Sequence, residues 1–197
     1  MAQVVVYIDG QNFFHGLESW GLDGKSFNFK SYATSITEGK TLVAIKYYGA
    51  KYPKRLSLRK HNADDAFFKS LERMGVTVVE GKFKIDDSTG RPIAREKGVD
   101  VRLATDLIFD AVFGTYDHAY VLSSDTDLVP AIEQTKKQFK EKKIFNFSFQ
   151  RLQEFIRSCD SCLLIYPDRA KKFIDPAAFQ PTHQTISDLR SRFNNSR

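Results

Sequence analysis

Cysteine, histidine and long apolar runs are scarce in this chain, and each scarcity removes a class of function. The 197 residues include two cysteines, Cys159 and Cys162. They form a lone C-x-x-C without the two further ligands that a structural zinc site needs. The pair falls between an expected helix and the next strand, not at a helix start, which argues against thioredoxin-like exchange. Two reduced, partly buried thiols are the expectation. The four histidines, His15, His61, His118 and His183, show no motif spacing. They give no sign of a paired-histidine acid–base site, and a structural or exposed role is the simpler reading even for His15. The longest apolar stretches, such as residues 4–8 and 163–166, fall far short of the roughly 20 residues that span a bilayer. No basic–apolar–small signal pattern opens the chain. The expectation is a cytoplasmic protein without membrane contact.

What is present is globular in composition, with 42% hydrophobic and 27% charged residues. The net charge of +6 favours polyanionic partners. Residues 46–60, KYYGAKYPKRLSLRK, hold six basic residues and no acid, with Tyr47, Tyr48 and Tyr52 interleaved. That mixture suits a groove that tracks phosphates and stacks bases, or equally a solvated surface loop. Lys51, Lys54 and Arg55 are its substrate-binding candidates. A second cluster, Lys136, Lys137, Lys140, Lys142 and Lys143, falls at an expected helix end, where lysines also suit the helix dipole.

Periodicity alternates strands with helices. Strands are expected at 4–8, 42–48, 76–80, 119–122, 144–147 and 162–166. Helices are expected at 12–20, 31–36, 56–74, 99–113, 126–138 and 149–157, and Gly75 closes the third of these as a C′ glycine. Residues 82–85 and 91–95 flank DDSTG as a hairpin. From about residue 176 the chain turns polar and basic and is expected to be loosely ordered, with one short helix at 186–193. The expected division is a domain over 1–170 and a tail over 171–197. Such alternation implies right-handed βαβ units and an α/β sandwich around a mainly parallel sheet. Ligands in these sheets bind beyond the carboxyl ends of the strands, where the strand order reverses.

Two of those strand ends carry acids. The run VVVYIDGQN stops at Asp9, and AYVLSSDTDL stops at Ser123, Ser124, Asp125, Thr126 and Asp127. Between them, KGVDVRLATD supplies Lys97, Asp100 and Asp106. Converging carboxylates repel and raise one another's pKa, and a hard divalent cation such as Mg²⁺ or Mn²⁺ removes that penalty. Asp9, Asp100, Asp125 and Asp127 are the primary metal candidates. Asp106, six residues beyond Asp100 and off its helical face, is a secondary one. Asn12 is placed to cap the following helix or to orient water or phosphate. The hydroxyls and free N–H groups of Ser123, Ser124 and Thr126 suit phosphate oxygens as well as helix capping. Lys97 suits a developing negative charge.

In this order, IDGQN, KGVDVRLATD and SSDTDLVPAI resemble the NYN domain, the LabA-like branch of the PIN-like nuclease superfamily. The resemblance runs from residue 4 to about 166, and SFQRLQEFIRSCDSCLLI is similar to the family's closing helix and strand. It implies a PIN-like three-layer α/β sandwich and a ribonuclease, with endonucleolytic cleavage of RNA assisted by Mg²⁺ or Mn²⁺. Asp9, Asp100, Asp125 and Asp127 match the family's acids, and Asn12, Lys97 and Ser123 or Ser124 its polar positions. Many members carry glycine where Ser124 stands. The implied partner is RNA or another single-stranded nucleic acid. A catalytically silent RNA-binding or regulatory module with the same fold is the alternative. A haloacid-dehalogenase-type phosphatase is disfavoured, because Gln11 stands where that chemistry wants a second aspartate. Trp20, Phe27 and Phe29 are aromatics that would serve a homodimer interface if exposed, and are otherwise core or lid residues.

Overall fold

The computed structural model describes residues 1–87 and 92–175. A six-stranded sheet forms the centre, built from β1 (Gln3–Asp9), β2 (Thr41–Gly49), β3 (Thr77–Glu80), β6 (His118–Leu122), β7 (Lys143–Ser148) and β8 (Ser161–Leu164). Its order is β3-β2-β1-β6-β7-β8, and every adjacent pair is parallel. The chain winds outward from β1 to β3, then crosses back to lay β6 on the other side of β1. The order therefore reverses between β1 and β6, which opens a crevice beyond their carboxyl ends.

Both faces of the sheet are covered. The VVVYI run is buried throughout, as a strand between two helical layers requires. Its even positions, Val4, Val6 and Ile8, join a core with α1 (Gly10–Glu18), α2 (Phe29–Ile36), α3 (Leu58–Arg73) and α7 (Pro167–Lys171). Its odd positions, Val5 and Tyr7, join a second core with α4 (Val99–Val112), α5 (Val129–Gln138) and α6 (Gln153–Ser158). The α4 stripe is Val99, Leu103, Leu107 and Ala111, spaced by four. Between β3 and α4, the strands β4 (Lys82–Asp86) and β5 (Ile93–Lys97) pair antiparallel as a separate ribbon. The remainder of the expected DDSTG turn after Asp87 lies outside the described residues.

Several elements differ from the sequence expectation. The helix expected over 126–138 divides into a 3₁₀ turn at Thr126–Leu128 followed by α5. The Asp125 side chain accepts from the Asp127 N–H and tightens that first turn, and Pro130 has no N–H to offer an α ladder. The helix expected from 149 starts at Gln153, because Phe149 packs on Phe13 and Trp20 with ring centroids 5.0 Å away in each case. The expected boundary at 170 falls inside α7. Beyond it, Asn28 N–H donates to the Phe173 carbonyl at 2.8 Å and Asp175 N–H to that of Ser26 at 2.7 Å. The expected helix at 186–193 lies outside the described residues.

Phe27 and Phe29 are core residues, 1% and 2% exposed, and Trp20 packs against the same core. The large apolar groups facing solvent include Val101, Phe109 and Val112 on α4 and Phe113 at its C-cap. Cys159 and Cys162 are free thiols, and burial pushes the Cys159 thiol well above its ordinary range. No helix among the described residues is long and apolar enough to cross a membrane.

Candidate metal centre

The two strand ends at the crevice are tied together by their own polar side chains. Asp9 ends β1 and caps α1, its Oδ1 accepting from the Asn12 N–H at 3.1 Å. Its Oδ2 accepts from Ser123 Oγ at 2.8 Å, across the β1–β6 boundary. Ser123 Oγ in turn accepts from the Asp125 N–H at 2.9 Å. Asn12 Oδ1 returns the tie, accepting from the Ser124 N–H at 2.8 Å. From β7, the buried Asn146 amide donates to the Ser123 carbonyl at 2.8 Å. Gly10 lets the chain turn here, since a Cβ would lie 2.4 Å from the Tyr47 ring and 2.6 Å from the Tyr48 carbonyl oxygen.

The third acid comes from the opposite wall. Gly98, with φ of 80°, turns the chain from the β4–β5 ribbon into α4 and sets Asp100 in that helix's first turn. A non-glycine residue adopts this left-handed conformation only at a cost. The helix N-terminus favours a negative charge there. One carboxylate oxygen each from Asp9, Asp100 and Asp125 lies within 4.8 Å of the others. For Mg²⁺–oxygen bonds of about 2.1 Å, oxygens around one octahedral ion stand about 3 Å apart when adjacent and about 4.2 Å apart when opposite. The trio is thus close to the spacing of a hard-cation site, and its donors are the hard oxygens that Mg²⁺ and Mn²⁺ prefer.

The electrostatics agree with that fit. Asp9 is 3% exposed. Burial pushes its carboxyl up to about 6, with Asp100 and Asp125 adding repulsion while the Ser123 and Asn12 hydrogen bonds pull the other way. Asp100 is raised by burial and by the charges of Asp125 and Asp127. A fourth carboxyl, Glu96 on β5, lines the same cavity of about 210 Å³. It is pushed up to about 7 by burial and then by Asp9 and Asp100, against a hydrogen bond from the Ala50 backbone. Sequence reasoning missed Glu96. The alternation that sets Ala94 and Glu96 on the more buried face of β5 shows only in the strand's burial, since by sequence the apolar Ile93 marks the opposite face.

The other anticipated residues fall into three groups. Asn12 and Lys97 line the cavity with Asp9, Asp100 and Asp125. Asp127 is exposed beside the trio, Thr126 occupies the 3₁₀ turn, and Ser123 and Ser124 serve as the ties described above. The rest lie elsewhere. Asp106 accepts from Tyr48 Oη at 2.7 Å and stands 3.6 Å from Lys46 Nζ, away from the trio. Lys51 pairs with Asp65 and Glu80, Arg55 with Asp87, and Lys54 is exposed. Tyr47 and Tyr48 are buried. Of the second lysine cluster, Lys136 and Lys143 pair with Asp160, and Lys142 donates to the Tyr116 carbonyl.

A family model of the NYN domain matches residues 3–165. The chain belongs to the NYN domain family. This membership places it in a nuclease superfamily whose members usually use divalent metals. Among solved structures, the NYN domain is similar to a protein of unknown function from Vibrio parahaemolyticus, with a TM-score of 0.63 and 20% identity. That match covers 85% of this chain and 94% of the other, and it shows the fold. No curated protein matches the chain.

Proposed function

We propose that this NYN domain is a ribonuclease that hydrolyses RNA phosphodiester bonds with Mg²⁺ or Mn²⁺ held by Asp9, Asp100 and Asp125. The observation that carries the proposal is the convergence of these three carboxylates at the crevice between β1 and β6. When bound, the cation relieves carboxylate repulsion, activates water and stabilises charge on the phosphoryl oxygens.

The chain's own residues supply the rest. Ser123 and Asn12 fix both oxygens of Asp9, so its carboxylate enters the site in one orientation. Asn12 Oδ1 is occupied by the Ser124 N–H, which leaves the Asn12 amide nitrogen for a phosphate oxygen. Lys97, on the cavity rim, offers its ammonium to the same phosphate. Asp127, exposed beside Asp125, is the further acid for outer coordination. Glu96, held near 7, can take a proton at its carboxylate at neutral pH.

The test is incubation of labelled single-stranded RNA and DNA with Mg²⁺, Mn²⁺ or EDTA. Cleavage of RNA that needs the cation and disappears in both Asp9→Asn and Asp125→Asn is the expected result. RNA binding without cleavage under every metal would replace the nuclease with a silent binding module.

A further inference from the structure

A second and larger cavity opens beside the acidic site. It measures about 780 Å³ and shares Gln11, His15 and Glu96 with the smaller one, so the two lie side by side. Its floor is aromatic, made by Tyr47 from β2 with Phe67 and Phe68 from α3. Its walls are aromatic too. Phe14 of α1 stands on one side, while Tyr52, in the loop after β2, meets Phe83 of β4 with ring centroids 5.9 Å apart. Phe14, Tyr52 and Phe83 are half-buried, so they keep open surface toward the cleft. The rim carries both signs. Arg59 and Lys60 are exposed on its α3 side, where Lys60 Nζ lies 4.7 Å from the Tyr52 ring centroid, while Glu18 is exposed on its α1 side and Asp64 is paired with Lys25.

A hollow of about 780 Å³ lined largely by aromatic side chains, with a few polar groups, has the size and lining of a ligand site. An aromatic hollow with exposed cations along one side, next to the acidic site, fits a strand whose bases are unpaired. The rings take base faces and the rim cations take backbone phosphates. A base within a duplex keeps its faces against its neighbours and enters such a hollow only at the cost of unstacking and unpairing.

We infer that this cleft is a nucleobase-binding subsite that seats an unpaired nucleotide next to the scissile phosphate, and that it restricts the substrate to single strands. The inference rests on the ribonuclease reading for the role of the neighbouring acids. The cleft takes Tyr47, Tyr52, Arg59 and Lys60 from the basic segment 46–60, whose Lys51 and Arg55 are taken up by acids, and adds Phe14 from α1 and Phe83 from β4.

The test is binding of fluorescently labelled hexauridylate RNA in EDTA, which leaves the metal site out of the measurement. Base–aromatic stacking is worth about 5- to 150-fold in affinity per base. Tyr52→Ala and Phe83→Ala should each weaken binding at least about fivefold, whereas Tyr52→Phe keeps the ring and should bind as the unaltered chain does. Lys60→Ala, on the exposed rim, should weaken binding and flatten its salt dependence, which keeps the test decisive if a ring truncation unfolds the protein. A 12-base-pair RNA duplex should compete at least about tenfold less well than the hexanucleotide. Binding unchanged by ring removal and by Lys60→Ala, no hexanucleotide binding at all, or equal competition by the duplex would each overturn the subsite. Cleavage is read separately with metal present. Ring-dependent binding without any cleavage removes the nuclease reading and leaves the subsite, whereas cleavage indifferent to the rings removes the subsite alone.

Discussion

Replacing Asp9 by asparagine should make the metal-free protein more stable, although it removes a buried hydrogen-bonded residue. Asp9 is 3% exposed, and its carboxyl is pushed from an ordinary 3.8 to about 6. At about 1.36 kcal/mol per pKa unit, that gap corresponds to about 3 kcal/mol of destabilisation once Asp9 is ionised. The sign follows from proton binding. Between pH 3.8 and about 6 the folded state holds a proton that the unfolded state has lost, so stability falls as pH rises through that window. Asparagine carries no charge and is free of this loss. Its single amide oxygen can keep the Asn12 N–H, but its NH₂ then faces Ser123 Oγ and the hydrogen bond from Ser123 is lost, a forfeit of about 1 kcal/mol. The net gain near pH 7.5 is about 2 kcal/mol, or about 4–8 °C in Tm for a chain of this size. Thermal melts in EDTA from pH 4 to 8 measure it. The Asp9→Asn advantage should shrink toward pH 4. Excess Mn²⁺ should reverse the order, adding about 2.7 kcal/mol to the unaltered protein at 100 times its Kd and little to the variant. If Asp9→Asn is less stable than the unaltered chain in EDTA, by the same margin at pH 4.5 and 7.5, then the buried charge carries no penalty and the reasoning fails.

Metal affinity should rise with pH between 5 and 7 and level off above, because protons compete for Asp9 near 6 and Glu96 near 7. Mn²⁺ titrations across that range would show a flat profile if neither carboxyl takes part. Ser123→Ala removes the donor to Asp9 and the acceptor for the Asp125 N–H. It should destabilise the protein by about 1–3 kcal/mol and move the pH profile of metal binding upward, as read by melts and by the same titrations. Gly98→Ala forces a side chain into a φ of 80° at the entry to α4. A destabilisation of about 1–2 kcal/mol is expected in chemical denaturation, with weaker metal binding as Asp100 loses its fixed position.

Much of the fold was legible because its periodicities are strong. VVVYI has the unbroken apolar run of a strand buried on both faces, and the four-residue spacing of Val99, Leu103, Leu107 and Ala111 marks one helix face. The acids at two strand ends became a site only through topology. The reversal of strand order between β1 and β6 brings residues 9 and 125 together, 116 positions apart in the chain. Asp100 was legible by its place at a helix start. Glu96 was hidden because a carboxylate on a short ribbon strand reads as a solvated charge until burial is known. The basic segment misled in part. Lys51 and Arg55 meet acids from α3, β3 and the residue after β4, distant partners that composition does not reveal. Asp106 shows the same limit, since its engagement with Tyr48 and Lys46 depends on how α4 lies across β2.

Calorimetric titration of Mn²⁺ into the chain at pH 7.5 tests the central claim most directly, with Asp125→Asn as the comparison. The trio of Asp9, Asp100 and Asp125 predicts saturable binding that the variant loses or weakens at least about tenfold. Absence of saturable binding, or binding of equal strength in the variant, would contradict the metal centre.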